Sequence, residues 1–285
     1  MLPMDATDRS AVTGEARRRL ARDFHLLGVR PGDTLMVHAS IRSVGPIPGG
    51  AKTLLSALRD AIGTGGTLMG FASWCDSPYE ETLNGRYLSP ERRATWPVFD
   101  PRTAAVYGGF GMFNELMRIE PDAQRSGHPD ASMVAVGPNA RWLTAHHAFD
   151  DAYGPTSPLA RLVAASGRVL LLGAPLDAVT VLHLAEAVAR VPGKRRVSYE
   201  MPVLDEEGRR TWVRCSNYDS NGILDCFALA DGTDAVEQIA RAYVQQRPHL
   251  TGRVGQASCH LFDAGDLVTF GVSWLEERFG INRGW

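Results

Sequence analysis

The chain has 285 residues, a formal net charge of −2, 44% apolar residues and 22% charged residues. That length is enough for one large domain with its own core, and the composition is that of an ordinary globular protein. A nearly neutral chain has no basic field for nucleic acid or an anionic membrane, and none of its apolar runs approaches the ~20 residues that span a bilayer.

The first part of the chain alternates helix and strand patterns. Residues 15–28 are predicted to form an amphipathic helix that Gly28 closes, and residues 34–40 follow as a buried strand. Residues 51–63 have a second helix pattern with a glycine stop, and residues 66–74 a second strand pattern. The polar N-terminus lacks the apolar core of a signal peptide, which favours a cytoplasmic protein.

The same alternation recurs further along the chain. Strands are predicted over 131–137 and 167–174, and the second leads into a predicted helix over 177–191 with Asp177 as its N-cap. Continuous apolar strands that alternate with helices are typical of an α/β fold with a mostly parallel or mixed sheet covered by helices on both faces. We therefore predict one domain over residues 1–285.

Two segments depart from this alternation. Residues 75–127 are rich in Pro, Gly, aromatic and acidic residues and show little periodicity. A loop of that length inside a compact chain is more often a binding surface than a connector, so we expect a substrate-binding insertion. Residues 195–218 have the pattern of a β-hairpin around the polar turn DEEG, and we expect a small hairpin subdomain there.

The predicted strand over 34–40 leads into a segment with anion-binding character. Ser40, Arg42 and Ser43 offer hydroxyl, guanidinium and backbone donors beyond the carboxyl end of a strand, where ligands bind in open α/β sheets. A turn with an exposed arginine accounts for the same pattern, so both interpretations stay open. The motifs GxxxxGK[ST], GxGxxG and GxSxG are absent, which argues against P-loop, Rossmann and α/β-hydrolase functions.

The segment RSGHPDAS contains a second pair of candidate ligand residues. Arg125 and Ser126 could hold a phosphate, although a His-Pro pair in a loop is more often structural. The histidines outside this segment show no metal-ligand spacing, and the four cysteines are scattered without a CxxC pair. This favours reduced thiols over disulfides, and no metal site is predicted.

The segment DAVTVLHLAE contains the third candidate group. Helical spacing of i, i+3 places Thr180, His183 and Glu186 on one face. By pattern alone, a histidine among Val, Leu and Ala is more often a core or surface residue than a catalyst. Glu186 need not touch the site, since the solvated flank of that face would also accommodate it.

Taken together and in this order, several stretches resemble the aminoglycoside 3-N-acetyltransferase family, from residue 15 to residue 277. They include LGVRPGDTLMVHASIRSVGPIPGG, RSGHPDASMVAVGP, YGPTSPLARL, VLLLGAPLDAVTVLHLAEAVARVPGKRR and DSNGILDCFA, and the stretches SWCDSPYEETL and WPVFDP resemble the gentamicin-type branch. The resemblance implies an α/β fold unrelated to the commoner acetyltransferase superfamily. It also implies transfer of an acetyl group from acetyl-coenzyme A to the 3-amine of the 2-deoxystreptamine ring of aminoglycoside antibiotics, which confers resistance.

The resemblance assigns catalytic roles as well. His183 in LHLAE matches the family's catalytic histidine, which acts as general base, and Asp219 falls where the family carries an acidic residue beside that histidine. Asn221 falls where some members have a second acid, and Tyr153 where some have a histidine, so participation of either stays open. A neutral imidazole near its ordinary pKa of ~6.5 can take the proton of an attacking amine while a carboxylate orients the ring. Loop N–H groups near Ser40 and the hydroxyl of Thr180 are alternative donors to the oxyanion.

Two binding sets follow from the resemblance. The coenzyme A residues are expected to be His38, Ala39, Ser40, Ile41, Arg42, Ser43, Val44, Arg125 and Ser126. Because the acceptor is a polycation, its pocket must be acidic and aromatic, and the expected residues are Asp76, Tyr79, Glu80, Asp100, Asp177, Thr180 and Asp225. Acetyl-coenzyme A and the aminoglycoside are the expected partners, and the chain is equally consistent with a monomer and a homodimer.

Two other functions stay open at this point. The first is an acyl-coenzyme A N-acyltransferase that acts on another amine in a biosynthetic pathway; the acidic and aromatic stretch 74–100 favours a polyamine sugar instead. The second is a non-catalytic polycation-binding protein that keeps the fold. The pairing of His183 with Asp219 argues against that second function.

Overall fold

Alternating helices and strands build the protein, whose computed structural model describes residues 6–219 and 233–280. The α-helices are α1 (Ala6–Leu27), α2 (Gly50–Ile62), α3 (Tyr79–Thr82), α4 (Pro90–Thr95), α5 (Met112–Arg118), α6 (Ala140–Leu143), α7 (Pro158–Ala164), α8 (Leu182–Val188), α9 (Ala235–Gln246) and α10 (Ala264–Phe279). The strands are β1 (Thr34–Ala39), β2 (Thr67–Phe71), β3 (Gln124–Arg125), β4 (Met133–Val136), β5 (Arg168–Leu172), β6 (Arg196–Leu204), β7 (Arg210–Tyr218), β8 (Leu250–Val254) and β9 (Ala257–Asp263). Within these described ranges, no helix is both long and apolar enough to cross a membrane.

Seven of the strands form one mixed sheet in the order β3-β4-β2-β1-β5-β9-β8. Strand β1 pairs in parallel with β2 and β5, whereas β4 and β9 run antiparallel to their inner neighbours. The apolar runs over 34–40, 66–74, 131–137 and 167–174 all contain strands, so the predicted α/β fold with a mixed sheet is confirmed.

Helices cover both faces of this sheet. In β1, Met36 lies in the core under α6 to α10, whereas its neighbours Leu35 and Val37 lie in the core under α1, α2 and α5. All three side chains are fully buried. Burial of such a side chain contributes roughly 1.5–3 kcal/mol, and burial on both faces is the reason that the central strands are continuous apolar runs.

The predicted helix over 177–191 is wrong in both its extent and its cap. A short 3-10 turn at Leu176–Ala178 ends at Val179, whose ψ of 72° is not helical, and the α-helix begins only at Leu182. Val181 precedes that helix, so Asp177 is not its N-cap. The helix ends at Val188 because Ala189 turns to ψ 137°, shortly before a proline that cannot continue it. His183 therefore lies in the first turn of α8.

The predicted hairpin over 195–218 is present as β6 and β7, which pair antiparallel from Arg196↔Tyr218 to Leu204↔Arg210. Its small core packs against the first part of segment 75–127. The backbone N–H of Glu200 in β6 donates to Oγ1 of Thr82 in α3 at 2.9 Å. The segment contains α3, α4 and α5 and is attached to the hairpin as well as to the main sheet; its substrate-binding role stays a prediction.

Candidate active site

A cavity of about 1060 Å³ opens where the central parallel strands end. Ala39 closes β1, Phe71 closes β2, and Ala174 follows β5, and all three line the cavity. The rest of the wall comes from segment 75–127, the loop before α7, the start of α8 and the residues beside α9. The carboxyl ends of parallel strands are the usual ligand sites of open α/β sheets.

His183 lines this cavity, and Glu186 holds its ring. Nδ1 of His183 lies 2.7 Å from Oε2 of Glu186, whose side chain is only 3% exposed, against 23% for His183. Because a carboxylate can only accept, Nδ1 carries the proton and donates, and Nε2 is the basic nitrogen. The expectation that the solvated flank accommodates Glu186 is wrong, since that flank of α8 faces the interior.

The ring of Tyr153 stacks on the imidazole of His183. Its ring centroid lies 4.9 Å from that of His183, with 29° between the planes. The ring centroid of Phe71 lies 6.3 Å from that of Tyr153. Phe110 packs edge-on against Phe71, with 4.8 Å between their ring centroids. Burial raises the pKa of the Tyr153 hydroxyl well above its ordinary value, so the group stays neutral.

Asp219 follows directly after β7 and is 6% exposed. Its Oδ2 lies 3.9 Å from Nη2 of Arg195, and its backbone N–H donates to the Arg195 carbonyl at 3.1 Å. The two residues before it, Asn217 and Tyr218, line the cavity. The supporting role of Asp219 beside the histidine stays a prediction. Asn221 lies outside the described residues, as does Asp225.

Three residues of the predicted coenzyme set, His38, Ala39 and Ser40, lie on the cavity wall. His38 is 8% exposed, and its Nε2 has no hydrogen-bond partner among the residues that the structure describes. Burial, and then the nearby His183, lower the pKa of His38 to about 4, so the ring is neutral at neutral pH. A buried neutral imidazole with a spare polar atom fits a site that receives a polar group of a bound co-substrate.

The remainder of the first loop is a 3-10 turn at Ile41–Val44. Ser43 connects this turn to the cavity wall, because its Oγ is hydrogen-bonded to Oγ of Ser40 at 2.9 Å. Arg42 is exposed beside the cavity wall. Val44 is 3% exposed and belongs to the core under α1 and α2, so its side chain is not available to a ligand.

Arg125 and Ser126 point into the protein instead of into the cavity. Arg125 donates to Oγ of Ser132 at 3.0 Å and also to two backbone carbonyl oxygens. Ser126 is completely buried, and its Oγ lies 3.0 Å from Nδ1 of His147. Because their polar groups are used within the protein, their placement does not support the predicted phosphate contacts.

The six predicted acceptor residues that the structure describes divide into three groups. Four of them line the main cavity: Tyr79, Glu80, Asp177 and Thr180. Asp76 lines a smaller cavity of about 420 Å³ that shares Cys75 and Ser77 with the main one. Asp100 lines neither cavity; it binds Arg102 at 3.0 Å, and this hydrogen bond lowers the pKa of the Asp100 carboxyl.

The main cavity is strongly acidic. Its described lining contains the carboxylates of Glu80, Asp130, Asp177 and Asp234 and no Lys or Arg. Ser77 Oγ donates to Oδ1 of Asp130 at 2.9 Å, while burial raises the pKa of that carboxyl to about 6. Asp130 and Asp234 are absent from the predicted set, although Asp130 belongs to the motif RSGHPDAS; an acid just before a buried strand is the signal that could have found it.

The family assignment rests on most of the chain. The family model described as Aminoglycoside 3-N-acetyltransferase matches residues 36–276. The chain belongs to the aminoglycoside 3-N-acetyltransferase family. The family predicted from the sequence is confirmed, and the protein is an enzyme of the acyltransferase class.

Relatives of this acetyltransferase resemble it over nearly their full lengths. It is 58% identical to an aminoglycoside N(3)-acetyltransferase III of Serratia marcescens, over 92% of this chain and 97% of that protein. The structure of AAC-VIa bound to sisomicin is 52% identical and superposes with a TM-score of 0.88, over 92% of this chain and 98% of that one. The structure of AAC-IIIb as a binary complex with CoASH is 39% identical with a TM-score of 0.87, over 94% and 98%.

Proposed function

We propose that this acetyltransferase moves an acetyl group from acetyl-coenzyme A to the 3-amine of the 2-deoxystreptamine ring of aminoglycoside antibiotics and thereby confers resistance. The observation that carries the proposal is the His183–Glu186 pair, which lies on the wall of an acidic cavity at the carboxyl ends of the central strands. The neighbours with bound sisomicin and bound CoASH support the two ligand classes.

His183 is the proposed general base. An amine attacks a thioester only as the free base, whereas aminoglycoside amines are largely protonated at neutral pH. With Nδ1 donating to Glu186, Nε2 of His183 is the nitrogen that would accept the proton that the amine gives up. Glu186 then stabilises the imidazolium, as a buried carboxylate does in hydrolase triads. Such general-base assistance is worth on the order of 10²–10⁴ in rate.

The strand ends supply the proposed co-substrate wall. Acetyl-coenzyme A, when bound, supplies an acetyl group activated as a thioester. His38, Ala39 and Ser40 would hold it on the side of the cavity formed by β1, and the exposed side chain of Arg42 would bind its phosphates. Asp219, which is buried directly after β7, is the second carboxylate, beside Glu186, that we propose to support His183. A cytoplasmic location, where acetyl-coenzyme A is present, belongs to the same proposal.

The acidic wall suits the proposed acceptor. The described lining of the cavity contains four carboxylates and no Lys or Arg; Glu80 has an ion pair at 3.4 Å with Arg86, which lies outside that lining. The excess of acid favours a ligand that carries several ammonium groups. Tyr79 and Tyr107 add flat faces against which sugar rings and cationic amines can pack.

The test is an acetylation assay on the purified full chain. With acetyl-coenzyme A and gentamicin, we expect thiol release and a product whose NMR spectrum carries the acetyl group on the 3-amine. His183→Ala should lose nearly all turnover, while His146→Ala, which changes an exposed histidine outside the main cavity, should keep it. Failure to release thiol with several 2-deoxystreptamine drugs would overturn the acceptor, and normal turnover of His183→Ala would overturn the base.

A further inference from the structure

The imidazole of His183 is restrained in two perpendicular directions. Glu186 binds Nδ1 within the plane of the ring at 2.7 Å, and the ring of Tyr153 covers one face with a centroid distance of 4.9 Å. A hydrogen bond alone leaves an imidazole free to tilt about the N–H···O axis. The stacked ring removes that freedom and keeps Nε2 directed at one place in the cavity.

We infer that Tyr153 is a positioning residue for the proposed base: its ring face orients the His183 imidazole and stabilises the imidazolium that forms during transfer. The inference rests on the proposed function of His183. Aromatic rings carry a negative face, so a cation stacked against one is stabilised relative to the neutral form. The role belongs to the ring face and not to the hydroxyl, which stays neutral in its buried setting.

The chain around Tyr153 is built to hold the ring still. Just before it, the carbonyl of Ala152 accepts from Nε2 of the buried His147 at 2.7 Å. Just after it, Oδ2 of Asp151 accepts the backbone N–H of Thr156 at 2.8 Å and closes a tight turn. A Cβ at Gly154 would lie 1.8 Å from Oδ1 of Asp151, so a side chain there would displace the carboxylate that closes the turn. The backbone on both sides of Tyr153 is thus held by contacts that do not involve His183.

The ring centroid of Phe71 lies 6.3 Å from that of Tyr153, and Phe110 packs edge-on against Phe71. All three rings line the cavity, so Tyr153 belongs to an aromatic part of its wall.

Other charged and titratable groups also act on His183. The set comprises Glu186 and Lys194 beside α8, His38 from β1, and the cavity carboxylates Glu80, Asp130 and Asp177 together with Asp234. Substitution of Tyr153 by an uncharged residue leaves every one of these groups in place. A change in the titration of His183 in such a variant therefore reports the loss of the ring face.

The experiment compares Tyr153→Leu with Tyr153→Phe in two measurements on the full chain. The first is an NMR titration of the His183 imidazole in the resting enzyme, and the second is the pH profile of kcat/KM with kcat and KM measured separately. In Tyr153→Leu we expect the titration midpoint and the acid limb to move down by about half a pH unit to one pH unit. We expect kcat to fall roughly 3- to 10-fold with little change in KM, since a weaker, less oriented base is slower. Tyr153→Phe should match the wild type in both measurements.

Two outcomes would overturn the inference: an unmoved midpoint in Tyr153→Leu, or a Tyr153→Phe variant as impaired as Tyr153→Leu, which would assign the role to the hydroxyl. If Tyr153→Leu fails to fold, Tyr153→Met fills more of the space without an aromatic face and serves the same comparison. A wild-type enzyme that acetylates no aminoglycoside would defeat the proposed function, while the NMR titration would still decide the stacking.

Discussion

Nδ1 of His183 and Oε2 of Glu186 lie 2.7 Å apart on the first two turns of α8, with the carboxylate buried and the imidazole opening onto the cavity. A buried carboxylate next to an imidazole is stabilised by that hydrogen bond and costs free energy when the bond is lost. The pair therefore has a structural role beside the chemical role that we propose, and the two roles can be separated by substitution.

Glu186→Gln should separate them. Glutamine keeps the volume and an oxygen that can accept from Nδ1, so the fold should hold, but the charge that stabilises the imidazolium is gone. We expect kcat to fall by about 10²- to 10⁴-fold with the KM for the aminoglycoside nearly unchanged. Steady-state kinetics of Glu186→Gln and of Asp219→Asn, measured side by side, will show which carboxylate supports the base. A wild-type kcat in Glu186→Gln would show that Glu186 has no part in the mechanism.

Arg125 and Arg42 make a matched pair for the coenzyme wall. Arg125→Met should lower Tm by several degrees, because Ser132 and the carbonyl oxygens of Ala72 and Ala104 each lose a hydrogen bond from the guanidinium, at a cost of about 2–4 kcal/mol. Its KM for acetyl-coenzyme A should not change. Arg42→Met should leave Tm unchanged, since the side chain is exposed, and raise that KM several-fold. A raised KM for acetyl-coenzyme A in Arg125→Met, with an unchanged KM in Arg42→Met, would support Arg125 as the phosphate ligand instead.

Glu80 and Glu81 are adjacent residues on different cavities, the main one and the smaller one respectively. Glu80→Gln should raise the KM for gentamicin about 2- to 5-fold at low salt, and the effect should shrink as salt screens an exposed charge. Glu81→Gln is the matched control and should change the KM less. Equal effects would show that the acceptor spans both cavities.

The stability of the fold should depend on pH through its buried histidines. Burial, and then His147, hold the pKa of His128 well below its usual range, while burial lowers the pKa of His147 to about 4. The unfolded chain binds these protons near an ordinary pKa of ~6.5, so stability is fully present above that pH and is lost as the pH falls toward 4. The slope is up to about 1.4 kcal/mol per pH unit for each histidine.

The variant His128→Asn tests this dependence, because asparagine does not titrate in this range. Its Oδ1 can still accept the hydrogen bond that the Ala131 N–H donates to Nδ1 of His128 at 3.1 Å. Tm measured from about pH 7.5 to about pH 4.5 should fall less steeply in the variant than in the wild type. Parallel curves would mean that another group controls acid unfolding.

The sequence predicts those features that depend on local pattern. Continuous apolar runs identify β1 and β5, because burial on both faces requires them, and the turn DEEG identifies the hairpin. The partner of His183 was missed because an amphipathic pattern assumes solvent along one flank of a helix. On α8 that flank is covered, and Lys194 also donates from the following loop to the carbonyl of Glu186 at 2.9 Å.

Asp130 was missed for a different reason. It lies in a short aperiodic loop, and it reaches the cavity only because β4 pairs antiparallel with β2 and returns the loop to the edge where β2 ends. Such a placement depends on the order of strands in the sheet, which no local pattern contains. The resemblance to a known family supplied the fold and His183, but it did not supply the pairing of that residue with Glu186.

The hairpin has a small core of its own, in which Tyr199, Met201 and Cys215 pack with Tyr79 of segment 75–127, apart from the two large cores on the faces of the sheet. Substitutions in the core of the hairpin therefore perturb few of the contacts that hold α8 and the strand ends. If segment 75–127 binds the acceptor as we propose, the shape of the acceptor pocket can change by such substitutions while the geometry around His183 is kept.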